Sequence, residues 1–525
     1  MRVNYICFRN EFPQERAFRV NVKDTRILRR CKRKIEKRLE RREWADQARP
    51  MLAARNIRYE MAERTRAIDC GAIGAIHLLA QKTGLVHGLN NRLRLLKRHL
   101  PYYESDHVLN VAFNTLCGGT CLDDIELRRG NETYLDALDA QRIPDPTTAG
   151  DFARRFGESD VVATMEVIND VRVNMWRKKL SWQERDEALI DVDGILAPTS
   201  GEHKEGMGLS YNGVWGYHPL LVSLANTREP LYTVNRPGNR PSHDGAAEWM
   251  NRAAALVRRG GFQRVTFRGD TDFSLTGNFD AWSEEQVRFA FGMDAMRNLV
   301  EMAEGLGTTA WKPLERNGRE AADGAARARR ENVKERIVVE NEYKNIRLKG
   351  EDVAEVSYRP TKCERDYRLI ILRKNLSVEK GEKVLFPDIR YFFYITNLDR
   401  QEMSTEEVVF FCNERCDQEN LIEQLKNGLN ALRMPVGDLV SNWAYMVMAS
   451  LAWTLKAWFA MVTRGKERRH KLIRMEFKRF LNSVVRLPAQ IIKSGRRIVY
   501  RLLGYSEWAG TLLRTFDAIR TLRLT

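Results

Sequence analysis

The sequence predicts an α/β fold, in which a mixed core of five strands is interrupted by a β-rich insertion. A helical N-terminal region precedes this core and a basic helical C-terminal region follows it. Three observations predict this. At 525 residues the chain is too long for one hydrophobic core. Its hydrophobic periodicity changes near Glu187 from helical spacing to short apolar runs. Its composition, 43% hydrophobic and 30% charged, is that of a soluble globular protein rather than a disordered or membrane one.

Residues 1–180 read as helical. Within them Ala75–Gln81 is an apolar helix, Thr83-Gly84 a break, and a second amphipathic helix carries Asn90, Asn91 and Arg92, a helix-turn-helix-like unit that suits DNA. Pro144-Asp145-Pro146 punctuates the chain before a helix near Asp151. The first part of the core, residues 181–311, holds strands at Ala188–Asp193, Pro219–Leu224 and Leu231–Val234 and a helix over Ala246–Arg259. Further strands lie at Arg264–Phe267 and Val287–Phe291. Three strands, a helix, a strand, helical matter and a strand is the order of an RNase H-like sheet. Such a sheet ends with a helix that brings a carboxylate to it.

That helix is delayed. Residues 312–336 are charged and apolar-poor. Strands then read at Arg336–Val339, Tyr343–Leu348, Val353–Tyr358, Tyr367–Leu372 and Tyr391–Thr396, making residues 312–400 the insertion. Val408–Lys426 supplies the awaited helix and opens the second part of the core, residues 401–462, and 463–525 is the basic helical end. Ala444–Val462 is nearly long enough to cross a bilayer, but Lys456 interrupts it and a central lysine is costly in lipid. A buried core helix is expected there, and no membrane.

The formal net charge is +17, with basic clusters at Arg26–Arg42 and from Arg464 onward. A field of that sign attracts polyanions by counterion release. The eight cysteines show no zinc-type spacing with histidine and read as reduced thiols. The opening residues lack an apolar signal segment, so the expected location is the cytoplasm.

Candidate chemistry sits in three places. Asp191-Val192-Asp193 and Arg268-Gly269-Asp270 end strands, and Glu419 lies on the late helix between Arg415 and Lys426, at separations of four and seven residues. Phosphodiester cleavage by in-line displacement grows charge on two oxygens. Two Mg²⁺ ions roughly 3.5–4 Å apart, or Mn²⁺ in their place, stabilise both. Mg²⁺ takes few carboxylates and keeps water and phosphate oxygens as its other ligands. Asp193, Asp270 and Glu419 are the expected metal-holding catalytic set, with Asp191 and Asp272 competing for the first two places. Arg415, Lys426, Arg268 and Arg236 are the expected DNA contacts.

This set resembles the DDE transposases of bacterial insertion sequences, and most of all the insertion-sequence-thirteen-eighty family, over about residues 70–500. The family signature of tyrosine, arginine, glutamate and lysine reads Cys412, Arg415, Glu419, Lys426, with spacing intact and cysteine in place of tyrosine. The second-aspartate block stands as Arg268-Gly269-Asp270-Thr271-Asp272-Phe273. The first, usually aspartate-serine-threonine, is Asp193-Gly194-Ile195, followed by the family-like Tyr211-Asn212-Gly213, Tyr217-His218-Pro219-Leu220 and Arg236-Pro237-Gly238-Asn239.

The resemblance implies cut-and-paste transposition. Terminal inverted repeats would be bound by a homodimer, cleaved through hairpin ends and joined to target DNA, at the bacterial nucleoid. It also implies an aromatic in the insertion that holds a flipped base. Tyr391 to Tyr394 offer one, Phe392 and Tyr394 foremost. The alternative it leaves is a catalytically weakened or domesticated, sequence-specific DNA-binding protein.

Overall fold

The computed structural model describes residues 22–39, 58, 65–99, 101–199, 201, 203–210, 212–314, 351–376, 388–413, 415–495 and 497–524. Tyr211 and the strands expected at Arg336–Val339 and Tyr343–Leu348 lie outside them.

A large mixed sheet organises the middle of the chain. Its strands are β1 (Glu187–Gly194), β2 (Leu220–Leu224), β3 (Glu229–Val234), β4 (Arg264–Gly269), β5 (Val287–Met293), β6 (Lys312–Pro313), β7 (Glu351–Tyr358), β8 (Tyr367–Asn375) and β9 (Ile389–Thr396). Their spatial order is β6-β7-β8-β9-β5-β4-β1-β2-β3. β1, β2 and β3 form an antiparallel meander, while β4 runs parallel to β1, and β5 to β4. The return from β3 to β4 passes through the helix Ala246–Arg259, which packs on β1 to β4. In β1 the alternation is clear. Ala188, Ile190 and Val192 are fully buried on one face, which leaves Asp191 and Asp193 on the other.

The described strands between residues 312 and 400 do not close a sheet of their own. β9 pairs antiparallel with β5, Phe393 opposite Met293, and β8, β7 and β6 continue outward. The helix Thr405–Asn413 then lies on this extension. Val408, Val409 and Cys412 pack with Ala290 of β5, Val353 of β7, and Ile370 and Leu372 of β8. The sheet is thus widened on the side where the late helix must land.

The helix Leu439–Val462 is long and apolar enough to cross a membrane, yet its apolar stretch is wholly buried inside the protein, against β3 and several helices. Lys456 is accommodated there. Its Nζ donates to the Ile473 carbonyl at 3.0 Å and lies 3.7 Å from the Trp453 ring centre, and burial holds its pKa well below the usual lysine value.

The described residues of the N-terminal part are mostly helical, as expected. Ile73–Lys82 and Leu85–Arg92 are joined at Gly84, whose φ of +80° is the left-handed turn that glycine permits. A two-residue strand at Ala67–Ile68 is the exception, and it pairs with Ala489–Ser494. The C-terminal region departs from its helical expectation. Ala489–Ser494 and Arg497–Leu502 form a hairpin turning at Gly495, which has φ +58°. The β-branched run Ile491-Ile492 opposite Val499-Tyr500 favours a strand despite the surrounding arginines.

Candidate active site

The parallel pairing of β1 with β4 sets the geometry. Asp191 is registered with Arg268, and Asp193 and Asp270 each stand two residues further on, at neighbouring strand ends. Asp193 is half-buried and Arg415 Nη2 lies 3.2 Å from its Oδ2. Burial pushes the Asp193 carboxyl up to about 7. The Arg415 charge opposes that rise, and Asp270 and Glu419 add to it. The Asp270 carboxyl is also raised, by burial first, against the same Arg415 charge and with Asp272 and Asp294 adding. One guanidinium therefore acts on both strand-end aspartates.

The competing carboxylates have other positions. β4 stops at Gly269 and Asp270 caps the short turn Thr271–Phe273, its Oδ1 accepting from the Asp272 amide at 3.0 Å. Asp272 is thus off the strand and exposed. Asp191 is fully buried and held by Arg268 through two bonds, of 2.7 and 3.0 Å. The same guanidinium lies 4.8 Å from the Phe411 ring centre and donates to the Phe411 carbonyl at 3.2 Å. Arg268 therefore pins the helix Thr405–Asn413 to the sheet. Cys412, in the tyrosine's place, fits beside it. Burial pushes its thiol up to about 12, with Arg268 and Arg415 opposing.

Two of the arginines expected to contact DNA are buried and partnered within the protein. Arg268 is spent on Asp191 and Phe411. Arg236 is buried, its Nε donating to the His218 carbonyl at 2.9 Å and its Nη1 to the carbonyls of Ser242 and Asp244 at 2.9 and 2.7 Å. Burial lowers the Arg236 pKa to about 10. Both arginines shape loops and helices from inside.

The single helix expected over Val408–Lys426 is instead three pieces: Thr405–Asn413, Cys416–Glu423 and a π turn, Gln424–Gly428. Arg415 stands at the start of the second piece, where its side chain turns inward to Asp193. Glu419 follows one turn later, and both it and Lys426, which lies in the π turn, are exposed. The π turn is held by Gln424, whose side-chain oxygen accepts from the Phe477 amide at 2.8 Å. Such turns recur at functional sites.

Among the described residues no three His, Cys, Asp or Glu side chains stand close enough to hold a metal ion. The donor chemistry nevertheless fits a hard cation. Two half-buried carboxylates at adjacent strand ends both have raised pKa values, and the Arg415 guanidinium is the positive charge that acts on both. Glu419, like Asp270, is a carboxylate whose charge reaches Asp193.

His218 went unassigned in the sequence. Its Nδ1 is 2.7 Å from the Arg240 carbonyl, which makes Nδ1 the protonated nitrogen and leaves Nε2 as an acceptor. Nε2 faces Gly194, where a Cβ would come within 2.7 Å of it and 3.1 Å of Ser242 Oγ. The missing side chain after Asp193 is thus matched to this imidazole. The only available signal was the Tyr217-His218-Pro219-Leu220 block itself. In the insertion, Phe393 is core whereas Phe392 is 41% exposed, with Lys374 Nζ 5.2 Å from its ring centre. Tyr394 shares Phe392's strand face and packs against the cluster that seats the helix Thr405–Asn413.

The frame of the site is a sheet that sets two aspartates at neighbouring strand ends, with a helix seated on its extension leading into the segment that carries Glu419. The family model described as "Transposase DDE domain group 1" matches residues 49–524. The chain belongs to that family and is a DNA transposase. Comparison with curated proteins gave no match. Among solved structures, a piggyBac transposase synaptic complex with hairpin DNA is similar at 10% identity, over 79% of this chain and 82% of that one, with a TM-score of 0.35. That likeness is too loose to support any inference.

Proposed function

We propose that this transposase cuts and joins DNA at a two-metal site held by Asp193, Asp270 and Glu419 on an RNase H-like core formed by β1 to β5. The observation that carries the reading is the meeting of Asp193 and Asp270 at neighbouring parallel strand ends under one guanidinium. The strand order β3-β2-β1-β4-β5, with only β2 antiparallel to the rest of the β2-β1-β4-β5 group, supports the assignment of the core.

Asp193, Asp270 and Glu419 would hold two Mg²⁺ ions, or Mn²⁺ in their place, which would supply positive charge for the attacking and leaving oxygens. The remaining roles fall to the chain itself. Arg415, held to Asp193 by a single bond, is placed to exchange that carboxylate for a DNA phosphate, which its fork binds well. Lys426 adds a point charge from the exposed π turn. Phe392, with Tyr394 beside it, offers a ring on which an unstacked base can rest. The substrates are the terminal inverted repeats of the element and a target duplex, processed through hairpin ends by a homodimer at the bacterial nucleoid.

The test uses duplexes carrying the inverted repeats that flank the open reading frame. Wild-type protein nicks them in Mg²⁺ or Mn²⁺ and not in EDTA, and Asp193→Asn, Asp270→Asn and Glu419→Gln each lose the nick while still binding DNA. Cleavage retained by any of the three overturns the site. Binding without cleavage by wild type leaves a DNA-binding protein only.

A further inference from the structure

We propose that both ends of the chain build one cleft that grips the phosphodiester backbone of duplex DNA, between the helix Val22–Leu39 and the segment around Arg468 and Arg514. This rests on the DNA reading above and names the surface that serves it.

On the helix, Arg26, Arg29, Arg30 and Arg33 stand at i, i+3, i+4 and i+7, the spacing of a single helical face. That stripe is ordinarily apolar and turned to a core. Here it lines an open cleft of about 1190 Å³ whose other wall includes Arg468, Tyr505, Glu507 and Arg514. Seven cations line it against one carboxylate, so the two basic clusters, more than 400 residues apart in sequence, converge in space.

The far wall is built for an anion. Arg468 donates through Nη1 to the Thr511 hydroxyl, and Arg514 Nη2 lies 3.5 Å from the same oxygen. No ion pair of either arginine occurs among the described residues. Burial, together with the Arg468 charge, lowers the pKa of Arg514. Like charges facing each other across a gap repel. The helix has little apolar seating to offset this. Leu28 packs against the core, while Val22, Ile27 and Ile35 are exposed. A polyanion between the walls removes the repulsion. Duplex DNA, with one charge per about 1.7 Å of axis, supplies enough charge to meet both walls at once.

The experiment is an anisotropy titration of the full chain with a fluorescent duplex of arbitrary sequence, in EDTA, over a range of KCl. Arg468→Gln with Arg514→Gln is expected to weaken binding and to flatten the slope of log K against log[salt] by about 2. Arg26→Gln with Arg30→Gln does the same from the opposite wall, and the matching lysine pairs retain the slope. Because the helix lies on the surface, this second pair reports even if the first impairs folding. Unchanged slopes in both glutamine pairs overturn the cleft while leaving the DNA reading intact. Failure of wild type to bind duplex overturns both, as does binding only to vesicles of anionic lipid.

Discussion

Asp191 and Asp193 lie two residues apart on one face of β1, and each meets an arginine. The deeper pair is closed. The Arg268 and Asp191 side chains are 3% and 1% exposed, joined by two bonds and capped by Phe411. The outer pair is open. Arg415 and Asp193 are 14% and 18% exposed and share one bond of 3.2 Å, and the buried Arg415 Nε has no hydrogen-bond partner among the described residues. The chemistry is the same, but the depth differs by two residues. The difference separates scaffold from site. A closed pair fixes where the late helix sits, and under the proposed function the open pair is the one exchanged for metal and phosphate.

Removing either arginine should therefore give unlike results. Arg268→Ala leaves a buried Asp191 charge uncompensated and is expected to destabilise the protein by about 3–5 kcal/mol, read as a large drop in thermal midpoint. Arg415→Ala breaks a single, partly exposed bond and costs roughly 1 kcal/mol or less. Equal losses from the two variants would erase the contrast.

A second prediction sharpens it through pH. The Asp193 carboxyl is raised to about 7 in the fold from an ordinary value of 3.8. The folded state therefore holds an extra proton between those values, and stability falls as pH rises through that window. Asp193→Asn removes the penalty. In EDTA it should stabilise the protein by roughly 1–3 kcal/mol at pH 8 and hardly at all at pH 4. Melting curves at the two pH values check this, and an equal gain at both would contradict the assigned cause.

Much of the core was legible because its signals are local. The apolar runs of β1 to β5 and the amphipathic spacing of Ala246–Arg259 all fold as read. What escaped the reading depends on distant partners. The pairing of β9 with β5 joins the insertion to the main sheet through residues about 100 apart. The break before Arg415 carries no glycine or proline, and the contact between Arg415 and Asp193 accompanies it. Arg268 and Arg236 read as surface cations because burial of an arginine is visible only with its acceptors, one across a parallel strand pair and the others in a folded-back loop. Dense arginines likewise obscured the short alternation of the C-terminal hairpin. At the site, strand ends made both aspartate positions readable and already favoured Asp193 over Asp191, whereas the burial of Asp191 against Arg268 depends on the parallel strand pair.

The most direct measurement is Mn²⁺ binding to the DNA-free protein, followed by electron paramagnetic resonance. Wild type is expected to bind, Asp193→Asn with Asp270→Asn to lose binding, and Arg415→Gln to bind more tightly than wild type, because the competing guanidinium is gone. Undiminished Mn²⁺ binding by the doubly substituted protein would contradict a metal site at the ends of β1 and β4.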